Sequence, residues 1–298
     1  MLTTERSASS FSEALKSDRF VVTCELNPPK GVNLDALLEK AEMLKGTVQA
    51  INLTDSAASR MTMAPIAVAH LLRDRGIEPI LQLTCRDRNR LALQSELLAA
   101  CALGVGSFLC MSGDPPSGGD HPDAKPVFDL DAVALLRAAH MLEFGRDLAG
   151  NQLDGSPSIV AGAVVNPGAA DLDLELRRME EKVEAGASFF QTQATYDPPA
   201  FERFMERARG FGVPVLAGMI VLKSGSMARK VNCNLPGVSV PEAIVQELEA
   251  AESPPERTVE ISARLIREIQ PMCAGVHIMA IGWESRIPEI VRGAGLAA

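Results

Sequence analysis

Short continuous apolar runs recur along the chain, each followed by small or polar residues and then by a stretch whose apolar positions have helical spacing. The runs predict strands over Phe20 to Leu26, Ala50 to Leu53, Glu78 to Leu83, Ser107 to Met111, Ile159 to Val165, Phe189 to Thr192, Val215 to Gly218 and Val276 to Ile281. The intervening patterns predict helices over Leu34 to Leu44, Ala64 to Arg75, Asn89 to Leu103, Leu130 to Phe144, Leu172 to Ala185, Pro199 to Arg209 and Pro241 to Glu249. The last connection also holds Glu256 to Ile269, so it is longer than one helix. Apolar strands alternating with amphipathic helices predict a parallel sheet covered by helices. Eight such units predict an α/β fold, a (β/α)8 TIM barrel forming a single domain over residues 1–298, with an open doubly wound sheet as the alternative. The opening through Ser17, with Phe11 and Leu15 one helical turn apart, reads as a short N-terminal surface segment.

Composition narrows the partners. Hydrophobic residues make up 47% of 298 residues, enough for a sizeable core, and a net charge of -9 argues against nucleic acid or an anionic membrane as partner. Six scattered cysteines, none in a metal-ligand spacing, and four histidines without a His-x-x-x-His pair predict no metal site. Without a leader pattern or a long apolar run the chain reads as cytoplasmic with free thiols. Neither a Gly-x-Gly-x-x-Gly nor a Gly-x-x-x-x-Gly-Lys motif is present, so the dinucleotide fold and the P-loop are not indicated.

In a barrel the chemistry gathers where strands end at their C-terminal side. The polar residues there are Glu25, Asn27, Thr54, Asp55, Gln82, Thr84, Asp114, Asn166, Gln193, Thr195, Tyr196, Lys223 and Glu284. Glu25 closes an apolar run and precedes Asn27-Pro28-Pro29, a position suited to general-acid work or, equally, to capping its own loop. Asp114 follows Gly113 in a Ser-Gly-Asp-Pro turn, where glycine permits close backbone approach to a ligand. The same residues also make an ordinary turn. Gln193 offers an amide that donates and accepts at once toward a heterocycle, or else bonds the backbone at the rim. The long Gly/Pro/Asp-rich loop Ser112 to Pro126 follows strand four on this face and reads as functional; Gly145 to Pro157 lies on the opposite side.

Taken in order, Cys24-Glu25-Leu26-Asn27-Pro28-Pro29, Leu83-Thr84-Cys85, Gly113-Asp114 and Glu184-Ala185-Gly186-Ala187-Ser188-Phe189, with Gln193 four residues on, resemble the methylenetetrahydrofolate reductase family. The resemblance runs from about Phe20 to the end. It implies a barrel that binds FAD, with FMN as the alternative, and reduces 5,10-methylenetetrahydrofolate to 5-methyltetrahydrofolate in one-carbon metabolism. Glu25 maps to the family's general acid, and Asp114 to a carboxylate near pterin and flavin that joins it in the catalytic set. Gln193, Asp114 and Tyr196 are expected to bind the folate, and Thr54, Gln82, Thr84, Gly113, Asn166 and Lys182 the flavin. The expected partners are the folate substrate and either NAD(P)H or a partner electron-donating subunit, with the chain working as a homo-oligomer.

Some positions depart from the family's pattern. Gln82 stands where a His precedes Leu-Thr-Cys, Ser112 replaces an Arg before Gly-Asp, and the family's Phe after strand seven aligns near Gly225. Two other readings therefore remain: a flavin-free pterin-binding barrel in folate methyl transfer, and a non-catalytic subunit of a larger reductase complex. The chain ends near Ala298, where larger relatives are expected to continue into a regulatory domain.

Overall fold

A computed structural model describes residues 10–17 and 19–296. A first helix, α1 (Ser10–Lys16), leads into β1 (Val21–Leu26), and strands and helices then alternate: α2 (Asp35–Leu44), β2 (Ala50–Leu53), α3 (Pro65–Asp74), β3 (Pro79–Thr84), α4 (Arg90–Ala102), β4 (Ser107–Met111), α5 (Ala132–Glu143), β5 (Val160–Val165), α6 (Leu172–Glu184), β6 (Phe189–Ala194), α7 (Pro198–Ala208) and β7 (Val215–Ile220). Three helices, α8 (Gly225–Asn234), α9 (Glu242–Glu249) and α10 (Pro254–Ile269), fill the long connection to β8 (Gly275–Met279), and α11 (Ile287–Gly293) follows. The strands form a closed parallel barrel in sequence order. The open-sheet alternative is therefore set aside, because β1 pairs with β8 as well as with β2. The predicted strands agree with these to within two residues at each end.

Two helices had no counterpart in the apolar pattern. In α8 only Gly225, Ala228 and Val231 are buried, a stripe too thin to register among GSMARKVNCN, and the helix starts because Ser224 caps the Met227 N–H. The short α11 follows a turn of 3-10 helix and begins with a proline in its first turn.

Alternation along each strand sorts the core into two bodies. Cys24 and Leu26 of β1, with Ile51 and Leu53 of β2, face outward and pack beneath the helices in the main cluster. Val21, Ala50, Ile80, Leu109, Phe189 and Leu216 face inward and fill the N-terminal end of the barrel. Gly162 belongs to this packing by what it lacks: a Cβ there would meet the Phe189 ring at 2.4 Å.

The expectation of a surface segment over residues 1–17 is corrected for residues 10–17, the rest lying outside the described residues. Phe11 of α1 is fully buried and meets Phe189 edge to face, with ring centroids 5.1 Å apart. The helix is a plug that closes the floor of the barrel. Truncating Phe11→Ala leaves a cavity beneath Phe189 and is expected to cost roughly 3–5 kcal/mol, read as a lower urea midpoint at unchanged slope.

Candidate active site

Above the apolar floor, the barrel carries a layer of buried polar side chains: Thr23 from β1, Asn52 from β2, Gln191 from β6 and His277 from β8. None is left without a partner. Asn52 and Gln191 exchange amide hydrogen bonds of 2.8 and 3.1 Å across the barrel, and Gln191 also donates to the Thr23 hydroxyl at 3.4 Å. The hydroxyl also meets His277 Nδ1 at 3.0 Å and the Val276 carbonyl at 3.5 Å. The other ring nitrogen, Nε2, lies 3.9 Å from Glu25 Oε2.

Glu25 stands one inward position above Thr23, half-buried, and receives a 2.9 Å hydrogen bond from Gln82 Nε2 on β3. Gln82 is where that carboxylate meets the open space beyond it. A cavity of about 620 Å³ extends over the C-terminal ends of the strands from β2 to β6. Six of the residues expected from sequence line it together: Gln82, Thr84, Gly113, Asp114, Lys182 and Gln193. A second cavity, of about 670 Å³, lies at the opposite mouth around Val21 and Ala50. Size does not separate the two; the strand ends do.

Gly113 has a φ of +87°, and a Cβ there would stand 3.0 Å from Thr84 Cβ, so this backbone approaches the β3 end as no larger residue could. The loop after β2 is pressed against it. Ser56, Ala58 and Ser59 all adopt positive φ, and Ser59 donates to the Asp114 carbonyl at 2.8 Å.

Besides Glu25, which meets the cavity only through Gln82, three expected residues do not reach the cavity wall. Thr54 is buried and donates to Asn27 Oδ1 at 2.8 Å, tying the end of β2 to the loop after β1. Asn166 accepts from the Gly168 N–H and donates to the Pro236 carbonyl, holding its loop against the segment between α8 and α9. Tyr196 is 3% exposed and spends its hydroxyl on the Ile220 carbonyl at 2.7 Å; burial pushes its pKa up, and it presents no polar atom to a substrate. Tyr196 is therefore withdrawn from the substrate-binding set.

Arg86 and Arg178 join the site without having been singled out in the sequence, beside Lys182 and Asp55, which were. Arg86 lies on the cavity wall although only 3% exposed, and its guanidinium bonds Asp87, the Ser56 carbonyl and the Ser59 hydroxyl. It ties the loop after β3 to the loop after β2, and its parity with Gln82 and Thr84 is the signal that could have found it. Arg178 and Lys182 stand one turn apart on α6 and both line the cavity. Lys182 donates to the Val164 carbonyl at 2.7 Å, and burial lowers its pKa. Asp55 accepts from the Thr84 N–H and hydroxyl and pairs with Arg88 at 2.8 Å. Among the described residues, no group of three or more His, Cys, Asp or Glu is placed to hold a metal, and no helix is long and apolar enough to cross a membrane.

Comparison with known proteins places the chain in a context. The family profile of methylenetetrahydrofolate reductase matches residues 10–295. The chain is 25% identical over 290 residues to a probable methylenetetrahydrofolate reductase (NADPH) of Caenorhabditis elegans, covering 91% of this chain and 42% of the relative. It spans about half the length of the curated eukaryotic relatives that match it over nearly its whole extent, two from Schizosaccharomyces pombe included, at 45% and 46% of their lengths. A 5,10-methylenetetrahydrofolate reductase of Pectobacterium carotovorum is closer in size, 24% identical over 272 residues with 89% of this chain and 85% of the relative covered. Among solved structures, EDTA monooxygenase from Chelativorans sp. BNC1 superposes with a TM-score of 0.57 at 14% identity, covering 93% of this chain and 95% of that one, which is a likeness of fold alone.

The Asp55 and Arg88 pair is buried enough that losing one partner strands the other. Asp55→Ala is expected to destabilise the protein by about 3 kcal/mol, measured by chemical denaturation, with the loop after β3 becoming the first segment to gain hydrogen exchange.

Proposed function

The chain belongs to the methylenetetrahydrofolate reductase family, and on that premise we propose that it reduces 5,10-methylenetetrahydrofolate to 5-methyltetrahydrofolate, using FAD held in the cavity over β2 to β6. The observation that carries the reading is the meeting of Glu25, through Gln82, with a cavity that Asp114 and Gln193 also line.

The donor set of that cavity fits a flavin dinucleotide. Its volume of about 620 Å³ is in the range of cofactor sites. Arg178 and Lys182 give one end two cations for a diphosphate, which favours FAD over FMN. Thr84, Gln82 and the glycine-permitted backbone at Gly113 offer hydrogen-bonding groups for a ring edge. A reduced flavin there would supply the hydride equivalent, and NAD(P)H is the proposed source of electrons, since the C. elegans relative is named for NADPH and relatives from Oryza sativa and Zea mays for NADH.

The protein's own part is proton placement. Opening the five-membered ring of the substrate breaks the bond from the bridging carbon to N10 and leaves a cation on the N5 side, so N10 needs a proton as the bond yields. Glu25 supplies it. Gln82 donates to Oε2, which leaves Oε1 to carry the transferable proton, and the imidazole of His277 stands 3.9 Å away on the Oε2 side. Gln193, exposed at the end of β6, donates to and accepts from the pterin's amide-like edge. Asp114, on the same cavity wall, would oppose excess negative charge on rings bound there.

Glu25→Gln keeps the shape of the site and removes the proton. It is expected to slow the folate half-reaction by about 10²- to 10⁴-fold while leaving reduction of the flavin by NAD(P)H nearly intact, as read by stopped-flow absorbance. Equal loss in both half-reactions, or a purified protein without flavin absorbance, would reject the assignment. Asp114→Asn is expected to raise the flavin potential and slow folate turnover together; an unchanged potential in a spectroelectrochemical titration counts against its placement.

A further inference from the structure

Asp114 is exposed on the cavity wall, and among the described residues its carboxylate takes part in no hydrogen bond or salt bridge. Where that charge stands is therefore decided by the backbone that carries it. Before it, Gly113 turns the chain at φ +87°; after it, Pro115 confines Asp114 to extended backbone. Both residues of this Asp-Pro pair are then tied across to the loop after β2. The Ser59 hydroxyl meets the Asp114 carbonyl at 2.8 Å and the Pro115 carbonyl at 3.1 Å. Carbonyls only accept, so the hydroxyl donates here, while its acceptor side is filled by Arg86, whose Nη1 donates to it at 3.1 Å.

Holding Ser59 in that place is costly. Ser56, Ala58 and Ser59 stand at φ +51°, +52° and +57°, a region that L side chains seldom enter and that costs about 1–3 kcal/mol for each residue. Such a form persists only where its surroundings over-determine it. Here they do so from two sides. The buried Arg86 guanidinium donates to the Ser56 carbonyl as well as to the Ser59 hydroxyl. From the other side Gly119 packs so closely that a Cβ on it would stand 1.9 Å from the Ser59 carbonyl oxygen. Arg86 also accepts the Val127 N–H on its own carbonyl at 2.7 Å. One residue of β3's end thus holds the loop after β4 at its finish directly and at its start through Ser59.

We propose that Ser59, held by Arg86, is a positioning residue for Asp114: its hydroxyl fixes the Asp114 carbonyl, and with it the place of the carboxylate beside the bound flavin. The inference rests on the flavin and folate reading above and adds the residues that set where the Asp114 charge acts. Strain in the loop after β2 is the counterpart of that aim, since a relaxed turn would carry the hydroxyl elsewhere.

The test separates the hydroxyl from the stability of its loop. In the flavin-loaded full-length protein, Ser59→Ala is expected to raise the flavin potential in the same sense as Asp114→Asn. It should also slow the folate half-reaction about tenfold, with the KM for methylenetetrahydrofolate little altered. Ser59→Gly loses the same hydroxyl but sheds the strain of a Cβ at positive φ, so it should show the same shift in potential at a higher urea midpoint than Ser59→Ala. In an Asp114→Asn background neither substitution should move the potential further. A shift that follows the urea midpoint rather than the hydroxyl, or that adds in full to that of Asp114→Asn, overturns the proposal. An unchanged potential in both Ser59 variants, with Asp114→Asn still shifted, overturns this inference alone, and a protein without flavin absorbance overturns it together with the reading beneath it. Ser59 variants that shift the potential only while Asp114 is present uphold it even where Glu25→Gln stays fully active, an outcome that rejects the proton role instead.

Discussion

Val21, Val22, Thr23 and Cys24 lie in parallel register with Gly275, Val276, His277 and Ile278, and this ladder converts a run of strand-helix units into a ring. The register leaves no room for error. A Cβ on Gly275 would come within 2.2 Å of the Val21 carbonyl oxygen, so the seam closes only where β8 begins with no side chain. Once closed, the seam sets Thr23 opposite His277 and places the imidazole below Glu25. A slip of one residue would turn these side chains into the helix layer and carry Val22 and Cys24 into the lumen.

The interior built on that seam is unusual in its middle. Barrel interiors are generally filled with layers of branched apolar side chains, whereas this one interposes two amides, a hydroxyl and an imidazole between a phenylalanine floor and the open mouth. Such a layer costs desolvation and gives back stability only when its bonds are complete. Here the amides of Asn52 and Gln191 satisfy each other across the lumen, and the chain of bonds runs on through Thr23 to His277. The gain is orientation: the polar layer fixes the imidazole ring under Glu25 while the apolar residues below it hold the strands at their spacing.

Much of the architecture was legible because strands buried on both faces are written as short, largely apolar runs, such as Ser107 to Met111 and Ala50 to Leu53. The convergence of Gln82, Thr84, Gly113, Asp114 and Gln193 on one cavity followed from placing them at strand ends, whereas Lys182 of α6 was expected only from the family resemblance. What was not legible depended on which way a side chain turns after its strand stops. Tyr196 sits two residues beyond β6 yet folds inward to bond Ile220, and Asn166 turns to its own loop. His277 was visible as a histidine near a strand, but its value comes from the pairing of the first strand with the last, which local sequence does not encode. Arg86 was hidden in the same manner, since a buried guanidinium is acceptable only with the Asp87, Ser56 and Ser59 partners that folding brings to it.

The plug at the barrel floor bears on how the chain is made. α1 leaves the ribosome before any strand, but the surface it covers includes Ile80, Leu109, Phe189 and Leu216, the last of them more than 200 residues later. During vectorial synthesis Phe11 therefore waits beside an unfinished socket, exposed to water until the seventh strand has joined the sheet. Its docking is a late, long-range event of high entropic cost, and a nascent chain halted anywhere before that strand presents an aromatic side chain that a chaperone can grip.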